Sequence, residues 1–329
     1  MFYLSKTPLR ISLFGGGTDY PEYFYKHKGA VLGFAINKYI YCFASEMHDS
    51  TNSKFRISYK DMEEVKKAKD INHPIIRTLL KNNSFFKKNK WHFGTLADVP
   101  AGTGLGSSSA FTVCFLNLLE KIQNNKKSKL YYAKQAFFVE KEILKENVGI
   151  QDSLHSSFGG INIFKFSKKN IKVESIDINK EKIRLLNSSM ILCYIGNPRN
   201  ASDIVTKQIK STIDGSNDHI LDRMYDSVFK AKEILNKEHG NQMLKSIGKL
   251  LNENWEYKKN LSSNISNKKI DSIISEGLKY GAYGCKLCGA GKGGFLFFIV
   301  NQKSKNLIKM KLNKINPCMD IKIDFHGAN

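Results

Sequence analysis

The sequence predicts two globular domains that mix strands with helices, and three observations carry that expectation. A chain of 329 residues is long enough for two cores at about 100 to 200 residues each. Short alternating or β-branched apolar runs read as strands and concentrate before the middle of the chain, whereas apolar residues at helical spacing fill most of 201–279. The apolar fraction of 41% is that of an ordinary globular protein.

Taken in order, Leu9, Ile11 and Leu13 alternate with polar or small residues and predict a strand ending at Phe14-Gly15-Gly16-Gly17-Thr18-Asp19-Tyr20. Asp19, just past three glycines, can face a cleft and accept hydrogen bonds from hydroxyls; the plain alternative is a simple turn. Val31 to Ala44 and Phe55 to Tyr59 are β-like, Ile75 to Lys81 predicts a short helix, and Trp91 to Leu96 a strand. That strand feeds Asp98-Val99-Pro100-Ala101-Gly102-Thr103-Gly104-Leu105-Gly106-Ser107-Ser108-Ser109-Ala110. With no Cβ on alternate residues, main-chain N–H groups of this loop can approach a ligand closely. Phe111, Phe115, Leu118, Leu119 and Ile122 then recur at helical spacing behind a serine at the N-cap position. The first N–H groups of such a helix lack partners and lie at the positive end of its dipole, which suits a polyphosphate. A serine hydroxyl there can reach a bound Mg²⁺. The loop is not a P-loop, because no lysine follows its glycines.

Lys129 to Glu146 predicts one long helix, with Ala133, Ala136, Phe137, Glu140 and Leu144 about a turn apart. Glu140 and Asp152 lie on either side of its end, so two carboxylates can meet at one site; the bland alternative is two solvated charges. Gly159-Gly160 introduces a strand over Ile161 to Phe166, and the polar stretch Ser167 to Asn187 holds the expected boundary between domains 1–182 and 183–329. Met190 to Ile195 reads as a core strand of the second domain. Helices are expected over Ala201 to Lys210, Ile220 to Asn236, Gln242 to Leu261 and Asn267 to Lys279. A third glycine loop, Lys286-Leu287-Cys288-Gly289-Ala290-Gly291-Lys292-Gly293-Gly294, runs straight into the strand Phe295 to Val300.

Composition narrows the function. Phe295 to Val300 is the strongest apolar run of the C-terminal half and is too short to cross a bilayer. Met1 to Phe14 carries Lys6 and Arg10 and lacks a secretory apolar region with a cleavage site. A cytoplasmic protein with no membrane partner is expected. The six cysteines are scattered, and Cys285 with Cys288 forms a C-x-x-C that no second pair or nearby histidine pair completes, so neither disulfides nor zinc are expected. The formal charge of +22 is carried mostly by dispersed lysine, in short runs such as Lys87-Lys88-Asn89-Lys90 between elements. That distribution argues against a nucleic-acid face and leaves attraction of small anionic substrates as its use.

The three glycine loops, in this order and at these separations, resemble the signature of the GHMP kinase superfamily over essentially the whole chain. The central stretch matches Pro-x-x-x-Gly-Leu-Gly-Ser-Ser-x-Ala, and the last matches Lys-x-Ser-Gly-Ala-Gly-x-Gly-Gly with Cys288 in place of the hydroxyl residue. The resemblance implies an α+β fold of two domains with the active site in the cleft between them, and ATP with Mg²⁺ as the cofactors. It assigns the nucleotide to Pro100, Gly102, Thr103, Gly104, Leu105, Gly106, Ser107, Ser108 and Ser109, and the Mg²⁺ to Ser108 and Glu140, with Ser107 and Glu142 as alternatives. Asp152 is then the general base and Arg10 the arginine that supports it. Asp19, Thr18, Gly17, Gly289 and Gly291 fall to the sugar, and Arg199 is our candidate clamp for a phosphate that the sugar already carries.

Galactokinase-type members read Gly-Glu-His-Thr-Asp-Tyr where this chain has Gly15-Gly16-Gly17-Thr18-Asp19-Tyr20. Together with Thr7-Pro8-Leu9-Arg10-Ile11-Ser12, Gly149-Ile150-Gln151-Asp152 and Gly196-Asn197-Pro198-Arg199-Asn200-Ala201, this is similar to the branch that acts on D-glycero-D-manno-heptose 7-phosphate. The activity implied is transfer from ATP to the anomeric hydroxyl, giving the 1,7-bisphosphate used for nucleotide-activated heptose and surface polysaccharide. An L-fucose or other hexose 1-kinase, and a non-catalytic nucleotide- or sugar-binding regulator, stand as alternatives. A homodimer is compatible with either.

Overall fold

The computed structural model describes residues 1–196, 201–262 and 265–329. Its first half is built on a long antiparallel pair. β1 (Phe2–Phe14) runs against β2 (Gly29–Glu46), from Phe2 opposite Ser45 to Phe14 opposite Leu32, with the short helix α1 (Pro21–Phe24) in the connection. β3 (Phe55–Ser58) and β4 (Met62–Val65) form a hairpin, α2 (Pro74–Lys81) comes after it, and β5 (Trp91–Ala97) returns to the sheet. Three helices come next, α3 (Ser107–Ile122), α4 (Lys129–Phe138) and α5 (Gln151–Phe158), then β6 (Ile161–Phe166) and β7 (Ile171–Ser175). The sheet order is β4-β3-β5-β2-β6-β7, and β1 also pairs with β2. Leu9 and Ile11, at period two, are fully buried, and Arg10 between them and Pro8 beside them are buried on the other face. The helix α3 packs on β1 and β2, and α5 on β1.

The second half contains α6 (Lys180–Ser188), β8 (Met190–Gly196), α7 (Ala201–Ile213), α8 (Asp218–Lys237), α9 (Gly240–Asn260) and α10 (Lys268–Lys279). It closes with β9 (Ala282–Leu287), β10 (Gly294–Val300), α11 (Lys305–Asn313) and β11 (Cys318–Asp320). The antiparallel sheet runs β11-β8-β10-β9, with α9 and α10 packed on β9. Every residue of β10 is buried, as its unbroken apolar run predicts.

Two α+β lobes result, and they share a core. Phe34 of the first sheet and Phe297 of the second lie edge to face, 6.0 Å apart, inside one continuous apolar cluster. The chain end also returns to the first sheet, where Ile323 bridges to Ile36 and Asn329 exchanges main-chain hydrogen bonds with Lys6. Among the described residues, no helix is long and apolar enough to cross a membrane.

Several elements differ from expectation. The helix expected to run unbroken to Glu146 stops at Phe138 and passes into a π-helical turn, Val139–Ile143, closed by the Leu144 N–H donating to the Val139 carbonyl at 2.9 Å. The polar stretch expected to hold the domain boundary contains β7 and most of α6. The expected boundary at 182 and 183 falls inside α6.

Candidate active site

The loop 98–106 and the start of α3 form the centre of the site. The helix is capped by Gly106 and not by a serine: Gly106 is left-handed, with φ +74°, and no side chain caps the first turn. A serine cap would consume an amide that the arrangement leaves open toward the cavity. A Cβ on Gly106 would also stand 3.2 Å from Asp152 Oδ2 and 3.3 Å from Arg10 Cγ. The loop holds its own shape. Thr103 Oγ1 donates to the Pro100 carbonyl at 2.9 Å, and the Gly102 N–H donates to Ser107 Oγ at 3.3 Å. The third glycine loop is clasped to it, since a Cβ on Gly104 would lie 2.4 Å from the Cys288 carbonyl oxygen.

The π-helical turn delivers Glu140 to the first turn of α3. Ser108 Oγ donates to Glu140 Oε1 at 2.8 Å, Ser109 Oγ to Oε2 at 2.6 Å, and Thr112 Oγ1 to Oε1 at 3.2 Å. Such turns are frequent at functional sites, where the extra residue rotates the next turn out of phase. Glu140 is 1% exposed. Burial pushes its carboxyl up to about 7, against the opposing pull of the Ser109 and Ser108 hydroxyls. Of the alternatives, Glu142 is exposed beside Lys145, 3.7 Å away, while Ser107 lines the cavity next to Ser108 and its Oγ accepts from the Gly102 N–H. A buried carboxylate and adjacent serine hydroxyl supply hard oxygen donors of the kind that suit Mg²⁺.

At the other side of Gly106, Arg10 links the loop to Asp152. Its Nε and Nη2 both lie 2.7 Å from Asp152 Oδ1, while Nη1 donates to the Gly104 carbonyl at 2.7 Å. Among the described residues no hydrogen bond reaches Asp152 Oδ2, the oxygen nearest the Gly106 cap of α3. Asp152 sits in the first turn of α5, so the dipole of that helix favours its charge.

Asp19 is fully buried behind them. It accepts from the Gly17 N–H at 3.0 Å, the Gln151 N–H at 3.3 Å and Gln151 Nε2 at 3.0 Å. Burial, then the charge of Asp152, raises its carboxyl to about 6. Gly17, Asp19, Gly289 and Gly291 all line the cavity of about 280 Å³ that also receives Arg10 and Asp152. Thr18 does not line it, which corrects its expected place among the sugar contacts. Its hydroxyl lies 2.8 Å from the Gly15 and Ala30 carbonyls and accepts from the Ala30 N–H, so it braces the first loop. Thr103 and Leu105 are likewise buried and shape the phosphate loop without lining a cavity. Arg199 lies outside the described residues.

A second cavity, of about 1050 Å³, opens on the far side of the same loop and shares Gly102, Ser107 and Ser108 with the first. Its walls include Tyr59, His73, Ile75, Val99, Pro100 and Phe111. The His73 ring lies 5.1 Å from that of Tyr59 and 4.9 Å from that of Phe111. Sequence reasoning missed this wall, although His73-Pro74 at the start of a helix was a visible signal. It also gave no role to Lys258, half-buried, or to Lys286, buried, both of which line the smaller cavity. In the sequence, Lys258 reads as one of two adjacent lysines at an exposed helix end.

Comparisons with known proteins agree with this geometry. The model of the GHMP kinase N-terminal domain matches residues 74–160, and that of the C-terminal domain matches 231–317. The D-glycero-alpha-D-manno-heptose 7-phosphate kinase of Campylobacter jejuni is 31% identical over 317 residues, covering 93% of this chain and 91% of its own. Among solved structures, a D-glycero-D-manno-heptose 1-phosphate kinase from Bacteroides thetaiotaomicron superposes with a TM-score of 0.79 at 22% identity, covering 100% of this chain and 98% of its own. A putative sugar kinase from Campylobacter jejuni gives 0.76 at 26% identity, with 100% and 97% covered.

Proposed function

This chain belongs to the GHMP kinase family and is an ATP-dependent sugar kinase, and from that premise we propose that it phosphorylates the anomeric hydroxyl of D-glycero-D-manno-heptose 7-phosphate to the 1,7-bisphosphate. One observation carries the reading: Arg10 joins Asp152 to the Gly104 carbonyl, within a helix turn of the point where Ser108 meets Glu140. A proton acceptor and a polyphosphate cradle are thereby fixed side by side. The larger cavity supports the nucleoside, the loop amides support the phosphates, and the smaller cavity supports the sugar.

Ser108 and Glu140 are the residues that would hold Mg²⁺, which when bound would neutralise charge on the outer phosphates. The chain's own groups do the rest. Asp19 accepts hydrogen bonds from sugar hydroxyls and fixes the ring. Asp152 Oδ2 takes the proton of the anomeric hydroxyl as its oxygen bonds to the γ-phosphorus and the bridge to ADP breaks. Because Oδ1 is occupied by Arg10, the carboxylate presents a single oxygen to the acceptor. Arg10 also carries positive charge to the side of the transferring group, so positioning and charge compensation supply most of the rate. We place the reaction in the cytoplasm, where ATP is available.

A coupled ADP-release screen across heptose 7-phosphate, hexose 6-phosphates and unphosphorylated sugars tests the substrate. Turnover highest with the 7-phosphate is expected; turnover confined to L-fucose or another free hexose would move the chain to the hexose 1-kinases. A non-catalytic regulator would bind without turnover, and the Asp152–Arg10 pair is machinery that a binder has no need of.

A further inference from the structure

We propose that Lys258 and Lys286 form an anion subsite in the wall of the smaller cavity, and that it receives the phosphate monoester already carried by the acceptor sugar. The proposal rests on the sugar-kinase reading and names the group that sets its specificity. Lys258 enters from the last turn of α9 and Lys286 from β9, and both are lining residues of the cavity that holds Asp19 and Asp152.

Among the described residues neither lysine makes an ion pair, whereas Arg10 in the same cavity is matched by Asp152. Lys258 Nζ donates to the Leu287 carbonyl at 3.1 Å and to the Gly289 carbonyl, and Lys286 Nζ to the Leu13 carbonyl at 2.8 Å. Carbonyls fix the heads without neutralising them, and an ammonium has three donors, so each head retains capacity for a ligand. Burial, followed for Lys258 by the charge of Lys286, lowers Lys258 to about 7; burial lowers Lys286 to about 8. Two ammonium groups drawn out of water in one cavity wall are costly unless an anion arrives.

The anion is assigned by elimination within the cavity. The transferring phosphoryl is already provided with loop amides, Arg10 and the Ser108–Glu140 metal donors. Sugar hydroxyls call for acceptors, which Asp19 supplies. A phosphate on the acceptor is the remaining negative charge, and among the described residues lining the cavity the lysine pair is the remaining positive charge without an ion pair. The two lysines also come from elements of the second lobe, whereas Asp152 comes from α5 of the first, so a sugar can lie between them.

The experiment compares kcat/KM for a phosphorylated sugar and for its unphosphorylated parent in wild type, Lys258→Gln, Lys286→Gln and Lys258→Arg. The preference for the phosphorylated sugar is expected to fall about tenfold or more in each Gln variant, through KM, and to be restored in part by Lys258→Arg. An equal loss on both sugars would overturn the proposal, because the lysines would then serve the transferring group. If the variants do not fold, wild type is inhibited with inorganic phosphate: competition against the phosphorylated sugar supports the subsite, and competition against ATP alone overturns it. A wild type that turns over only unphosphorylated sugars refutes the subsite and leaves the kinase intact, whereas no turnover with any sugar refutes the parent reading as well.

Discussion

At the scale of single residues, the site divides carboxylates by their partners. Asp152 has one oxygen held by Arg10 and one open to substrate, so Asp152→Asn keeps the shape and removes the proton acceptor. We expect kcat to fall by about 10² to 10⁴ with the KM for ATP little altered, measured by steady-state ADP release. Asp19 answers to pH. Its carboxyl is raised from an ordinary 3.8 to about 6, so in the apo protein the folded chain keeps a proton that the unfolded chain has released. Stability from this group is therefore lost as pH rises from about 4 to about 6. Asp19→Asn carries no such titration. Its melting temperature relative to wild type should climb across that window, and a difference that stays flat would show that Asp19 does not titrate there. In the sequence, Asp19 stands out behind three glycines, and Asp152 through its spacing from Glu140 and the family resemblance. Lys258 and the Tyr59, His73 and Phe111 wall do not, because residues distant in the chain meet there only in the folded molecule.

At the scale of elements, the mouth of α3 depends on one backbone conformation. Gly106→Ala puts a Cβ into the left-handed region and against the Asp152 carboxylate. A loss of about 1 to 2 kcal/mol of stability is expected from the backbone alone. A larger drop in kcat should accompany it, checked by thermal melting beside activity. The periodicity of α3, β1 and β10 can be read directly, since each buries a regular stripe or run. Three features escape for physical reasons. The π-helical turn keeps a helical sequence pattern while widening one turn. β7 is a half-exposed edge strand with little apolar signal, and α6 is lysine-rich, its start fixed instead by Asn179 accepting from the Lys182 N–H at 2.8 Å. The serine expected to cap α3 loses that role to Gly106, whose left-handed backbone at φ +74° is open to a glycine.

At the scale of the whole molecule, the lobes share one apolar cluster and are expected to unfold together. Phe297 is fully buried against Phe34 across the two sheets. Phe297→Ala should cost about 3 to 5 kcal/mol, and calorimetry should show a single transition moving down; two separate transitions would contradict a shared core. Length and element types forecast two lobes, but not the return of the chain end to Lys6 and Ile36, which no local pattern encodes. The clasp between Gly104 and the Cys288 carbonyl leaves no room for a methyl group on either loop's facing side. Its evolutionary corollary is that the two loops must change in concert. A hybrid grafting one half of this enzyme onto the complementary half of a distant cousin would therefore inherit mismatched halves of a single buckle.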